Sequence, residues 1–136
     1  MVYAETESVN GEADFQEWIR YADDDLEAAR VLFDAGRYAM CAFHCQQALE
    51  KILKATIVRA TKHRPPYTHN LRDLAAHLPE LLIPDEIGRI LRRADPHYRA
   101  TRYPGLADSS EYTRVNVQKL FEQTRTAYEW FSNRLK

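Results

Sequence analysis

A chain of 136 residues is long enough to bury one core and short enough to form one domain. Hydrophobic residues at 45% and charged residues at 29% are ordinary for a globular protein, and a formal net charge of −1 gives no global attraction to nucleic acid or anionic membrane. No apolar run approaches the roughly 18 residues of a membrane span, and no signal-peptide core precedes residue 30, so the cytoplasm is the expected location.

Only four Gly and six Pro, with few alternating Val, Ile and Thr, predict an all-α chain. Residues 1–12 are polar and aperiodic and are expected to be disordered or loosely attached, leaving a helical domain over 13–136. A first helix is predicted at about 14–35, with Phe15, Trp18, Ile19, Ala22, Leu26, Ala29 and Phe33 as its apolar stripe. Asp23, Asp24 and Asp25 interrupt it. Consecutive helical residues point in different directions, so the three cannot converge on one metal, and a solvated face is their plainest reading. Gly36 ends this helix, and the short connection predicts an antiparallel hairpin.

The second helix is predicted over 37–62, a run that no Gly or Pro interrupts and that is rich in good helix formers. Cys41, Ala42, Cys45, Ala48, Leu49, Ile52, Leu53 and Ile57 share one face, and the two cysteines read as small buried hydrophobes. His44, Gln47, Lys51 and Lys54 recur at i, i+3, i+7 and i+10 and stack along one ridge, with Glu50 at its edge. Two readings stand open. The ridge is a solvated face with Glu50 and Lys54 as an ordinary pair worth about 0.3–0.5 kcal/mol, or it turns inward and lines a polar groove.

The segment 63–68 breaks the pattern, and Thr68 is the predicted cap of a helix over 69–78 that Pro79 ends. Pro84 opens a fourth helix over 85–95, with Asp85 and Glu86 near its positive end, and Pro96 closes it. Residues 97–109 form a loop with a turn at Tyr103-Pro104-Gly105. Ser109 or Ser110 caps a last helix that runs to about 134. Its stripe is Val117, Leu120, Phe121, Thr124, Tyr128, Phe131 and Leu135. About five helices suit an antiparallel up-and-down bundle.

Between Arg89 and Arg102 lie five arginines, with His97, Tyr98 and Tyr103 among them. A guanidinium fork suits phosphate, and a tyrosine ring can stack on a base, so this basic corner is a candidate anion site. Ion pairs with the 20 acidic residues are the competing reading.

Three ordered segments carry a family resemblance. The run FHCQQALEKILKA (43–55) resembles the signature helix of the HEPN family, THNLRDL (68–74) is similar to its Thr-His-x-Leu segment, and HYRATRYPG (97–105) is similar to its Tyr-x-x-Thr-Arg-Tyr-Pro segment. The resemblance implies a HEPN-type bundle, a homodimer, and a separately encoded small nucleotidyltransferase as partner in a toxin–antitoxin-like module. It also implies a nucleotide or RNA phosphate held near His44, Gln47, Lys51, Lys54, His69, Arg102 and Tyr103, without metal or cofactor. An acidic residue recurs in the family at the position of Asp25, from which it could pair with Lys51 or Lys54.

Some HEPN relatives are metal-independent RNases with an Arg-x4–6-His motif, which makes Arg92 and His97 the alternative catalytic pair. Arg37…His44, Arg64…His69 and Arg72…His77 fit the same spacing. Random placement gives about 1.5 such matches, so spacing alone selects none. A purely structural helical dimer with an internally paired ridge is the third reading.

Overall fold

The computed structural model describes residues 11–106 and 109–136. The polar segment expected at 1–12 therefore lies outside the described residues up to position 10, and the first helix already includes Gly11 and Glu12.

Two helices of 24 residues, α1 (Gly11–Asp34) and α2 (Tyr38–Thr61), form the long hairpin; each spans about 36 Å at 1.5 Å per residue. Its turn is closed by the backbone. Arg37 N–H donates to Leu32 O at 2.8 Å and Gly36 N–H to Phe33 O at 3.0 Å. This pair of bonds needs a left-handed residue at the first position past the helix, and Gly36 has φ +76°.

The remaining helices are α3 (Leu71–Ala76), α4 (Asp85–Ala94), α5 (His97–Ala100) and α6 (Arg114–Asn133), with a 3-10 turn at Ser109–Glu111. The five expected helices are all present, α5 is an addition, and the described residues contain no strand. No helix among them is long and apolar enough to cross a membrane.

The chain directions follow from side-chain contacts. Arg114, at the start of α6, lies over the Phe33 ring near the end of α1, while Tyr128 donates its hydroxyl to Asp23 fourteen residues further on. So α6 runs antiparallel to α1. Arg93 donates to Gln123 at 2.5 Å and His97 reaches Tyr112, which makes α4 antiparallel to α6.

α2 sits at the centre and packs against every other helix. Fourteen of its 24 residues are buried, too many for a helix with a single core-facing stripe. All eight apolar positions read from the sequence are among them, including both free cysteines. Hydrogen bonding to Cys41, and burial, push the Cys45 thiol well above its ordinary value, so it is an inert core group. The α6 stripe also faces the core as expected, joined by Ala127.

Three local expectations are corrected. Asn70, not Thr68, caps α3: its side chain accepts from the Arg72 and Asp73 N–H groups, both at 3.0 Å, while the Thr68 hydroxyl accepts from Asn70 N–H. Thr113, not Ser109 or Ser110, caps α6 by accepting from Asn116 N–H at 3.2 Å.

Pro96 does not open a loop. With φ −61° and ψ −21° it starts α5, and its carbonyl accepts from Ala100 N–H at 3.0 Å. A proline ring fits helical φ, and at a helix start no N–H is missed. The turn at 103–106 does form, with Gly105 at φ +84° and Leu106 N–H reaching Tyr103 O.

Candidate functional site

The ridge on α2 turns inward. Asp25 of α1, only 11% exposed in its side chain, faces it and takes two partners. Lys51 donates to Asp25 Oδ2 at 2.5 Å, and His44 Nδ1 lies 2.8 Å from Oδ1. One turn further, Glu50 accepts from Lys54 at 3.1 Å and from Gln47 at 3.1 Å, and its carboxylate lies 3.1 Å from His69 Nδ1. Gln46 donates to the His69 carbonyl at 2.8 Å, which ties the 62–70 connection to α2. Each ammonium on the ridge therefore has a carboxylate of its own. The acidic triplet of α1 resolves accordingly: Asp25 joins the ridge, Asp23 accepts from Tyr128, and Asp24 is exposed.

His69 links this seam to the basic corner. Its ring stacks on Tyr98 with centroids 4.1 Å apart and planes 16° apart. The Arg102 guanidinium lies 4.6 Å from the Tyr98 centroid and 6.0 Å from that of Phe43. Arg102 also reaches the Tyr103 hydroxyl at 3.3 Å. The imidazole, phenol and guanidinium form one column with His69 and Arg102 exposed and Tyr98 half-buried between them. Beside it opens a cleft of about 560 Å³, walled by His69 and Tyr98 and by Arg72, Arg92 and Arg99.

The three guanidinium groups come from α3, α4 and α5. None makes an ion pair among the described residues. Asp95 is the one carboxylate on the wall, and one of its oxygens already accepts the Leu71 N–H at 2.9 Å. Burial raises the Asp95 carboxyl, with the Leu71 N–H and the Arg72 charge opposing it, and three guanidinium groups against one carboxylate give the wall a net positive character.

Arg92 and His97 part company within the chain. Arg92 lines the arginine cleft, whereas His97 lines a separate cleft of about 330 Å³ with Arg93, Glu111 and Tyr112. His97 Nδ1 lies 2.9 Å from the Tyr112 hydroxyl. Burial holds the His97 imidazole below its ordinary value of 6.5, and the Glu111 carboxylate offsets part of this.

The folded state thus favours the neutral ring. Its contribution to stability is present above the unfolded value and is lost as pH falls below about 6.5 toward the lowered folded value. Urea midpoints between about pH 7.5 and pH 5 are expected to fall in wild type and to fall less in His97→Gln. Equal slopes for the two proteins would remove His97 as a source of acid sensitivity.

Of the residues singled out in the sequence, His44, Gln47, Lys51 and Lys54 meet Asp25 and Glu50, while His69 and Arg102 meet at Tyr98 with Tyr103 alongside. Arg72 and Asn70 were not assigned to the site by sequence. Nor were Trp18, Tyr21 and Tyr67, which with Lys54 line a third cleft between α1 and the 62–70 connection. Nothing local to these residues signals that they converge.

This geometry places three matched segments around one seam. The chain covers 96% of a crystal structure of TT1696 from Thermus thermophilus, with 88% of its own length, 25% identity and a TM-score of 0.79. It is also similar to ST0689, described as an archaeal HEPN homologue, at 23% identity and a TM-score of 0.74, over 90% of this chain and 98% of that one. No curated protein matches it. The HEPN domain model matches residues 15–135, which contain all seven helical segments except the first turn of α1, and the chain belongs to the HEPN family.

Proposed function

We propose that this protein is a binding module that holds a nucleotide or an RNA phosphate in the arginine cleft. One observation carries the reading: Arg72, Arg92 and Arg99 surround a single cleft, with no ion pair among the described residues, beside the stacked rings of His69 and Tyr98. Guanidinium forks suit phosphate oxygens, and an exposed aromatic edge suits a base. The ridge lysines take a supporting part. Lys54 and Glu50 support the cleft wall through His69, and Lys51 with Asp25 joins α1 to α2. Arg102 and Tyr103 extend the site along the Tyr98 column. A homodimer and a small nucleotidyltransferase partner in a toxin–antitoxin-like module complete the proposal, and both follow from the family resemblance.

Fluorescence anisotropy with a labelled single-stranded oligoribonucleotide, and calorimetry with a nucleoside monophosphate, test it. Three phosphate contacts give a log–log salt slope of about −2, at about −0.7 each. Arg99→Ala is expected to weaken binding by about tenfold and to reduce the slope by about 0.7. Absence of binding to either probe overturns the reading. Metal-independent cleavage of the RNA that His97→Ala abolishes would replace it with the RNase reading, with Arg92 and His97 meeting across two protomers.

A further inference from the structure

The cleft between α1, α2 and the 62–70 connection is separate from the arginine cleft and shares with the reading above only the supporting residue Lys54. It holds about 320 Å³, at the lower end of small-molecule sites. Trp18 and Tyr21 of α1 form one side, Pro66 and Tyr67 of the connection another, and Lys54 of α2 reaches it from the core. Tyr67 is 98% exposed and Tyr21 55%, so two large rings stand in water around one concavity.

Lys54 is the unusual member. Its side chain is 9% exposed, and its ammonium donates to Glu50 and lies 5.4 Å from the centre of the Trp18 ring. An ammonium has three N–H donors, and among the described residues Glu50 is its one hydrogen-bond acceptor. That carboxylate is itself shared with Gln47 and His69. A nearly buried cation with spare donors and a divided counter-charge favours an added acceptor.

We propose that this cleft binds a small planar aromatic molecule bearing one carboxylate, with its ring against Trp18 and Tyr67 and its carboxylate on the Lys54 ammonium. The charge around the cleft selects a monoanion. Lys54 and Arg64 line it against Glu17, with Glu50 beneath. A cationic ligand meets Lys54 and Arg64, and a phosphate dianion meets Glu17 and Glu50 with Arg64 as the single guanidinium fork in the lining. A single carboxylate matches the unused donors of the Lys54 ammonium, whose partner Glu50 is shared with Gln47 and His69, and the rings supply stacking area.

Naphthoate and its neutral isostere naphthamide are the probes, titrated into the intact protein by calorimetry and by NMR. Naphthoate is expected to bind about tenfold more tightly than naphthamide. Tyr67→Ala, at a position too exposed to affect folding, is expected to weaken naphthoate by about fivefold or more. Lys54→Met is expected to erase the preference for the acid; since it also strands Glu50, the Tyr67 variant and the acid–amide comparison decide the matter if it fails to fold. Equal affinity for acid and amide, unchanged binding in Tyr67→Ala, or no binding of naphthoate would each overturn the proposal.

Discussion

Replacing Glu50 with alanine is expected to destabilise the protein by about 3–5 kcal/mol, the cost of leaving one member of a buried ion pair behind. Glu50 is 4% exposed in its side chain and Lys54 9%. Without the carboxylate, the Lys54 ammonium keeps the Trp18 ring and loses its hydrogen-bond acceptor. His69 loses its partner at 3.1 Å and Gln47 one of its two acceptors. Of the two hydrogen bonds between His69 and α2, the Gln46 bond to the His69 carbonyl then remains.

A double replacement, Glu50→Leu with Lys54→Met, is expected to recover much of the loss, because removing both charges also removes their desolvation cost. Urea unfolding of the three proteins checks this. A loss below about 1 kcal/mol in Glu50→Ala would mean that the pair behaves as a solvated surface pair.

The same seam shows what the sequence made legible. Periodicity at 3.6 residues picked eight positions of α2, all of them buried, but passed over Gln46, Ala55, Thr56 and Val58, which are buried because other helices cover further sides of α2. It also isolated the ridge of His44, Gln47, Lys51 and Lys54. Whether that ridge faced water or protein depended on Asp25, which is 26 residues before Lys51 and sits within an acidic run that reads as surface. Composition treats Asp23, Asp24 and Asp25 alike. Helix geometry sends them to Tyr128, to solvent and to Lys51 with His44.

Helix ends were legible where one residue type decides them, as at Gly36, and less so where several hydroxyl or amide groups compete. Asn70 wins over Thr68 because its side chain reaches two N–H groups of α3 at once. Pro96 shows the limit of a breaker rule. The ring excludes a helix interior position and suits a helix start, and the sequence does not say which of these the fold will use. The arginine cleft was half visible. Arg92 and Arg99 belong to an evident basic corner, but Arg72 joins them from α3, a helix that the buried Leu71 and Leu74 and the Leu71 N–H bond to Asp95 dock beside the end of α4.

Tyr98→Ala is expected to weaken RNA binding by about 5- to 150-fold, because it removes the ring that supports His69, the exposed end of the column on which a base would rest, and one stacked base is worth about 1–3 kcal/mol. The ring is the common element of the column: His69 stacks on it at 4.1 Å and Arg102 lies over it at 4.6 Å. Its removal frees both neighbours while leaving all three cleft arginines in the chain. The electrostatic part of binding therefore survives, and the salt slope is expected to stay near that of wild type. Arg99→Ala gives the opposite pattern, a smaller slope with the rings intact. Tyr98→Phe keeps the ring without the hydroxyl and is expected to bind within about threefold of wild type, since the ring that His69 stacks on is retained. Anisotropy titrations of the three variants at several salt concentrations separate the two contributions. If Tyr98→Ala binds RNA as wild type does, no base rests on the column, and the phosphate alone is held by the arginines.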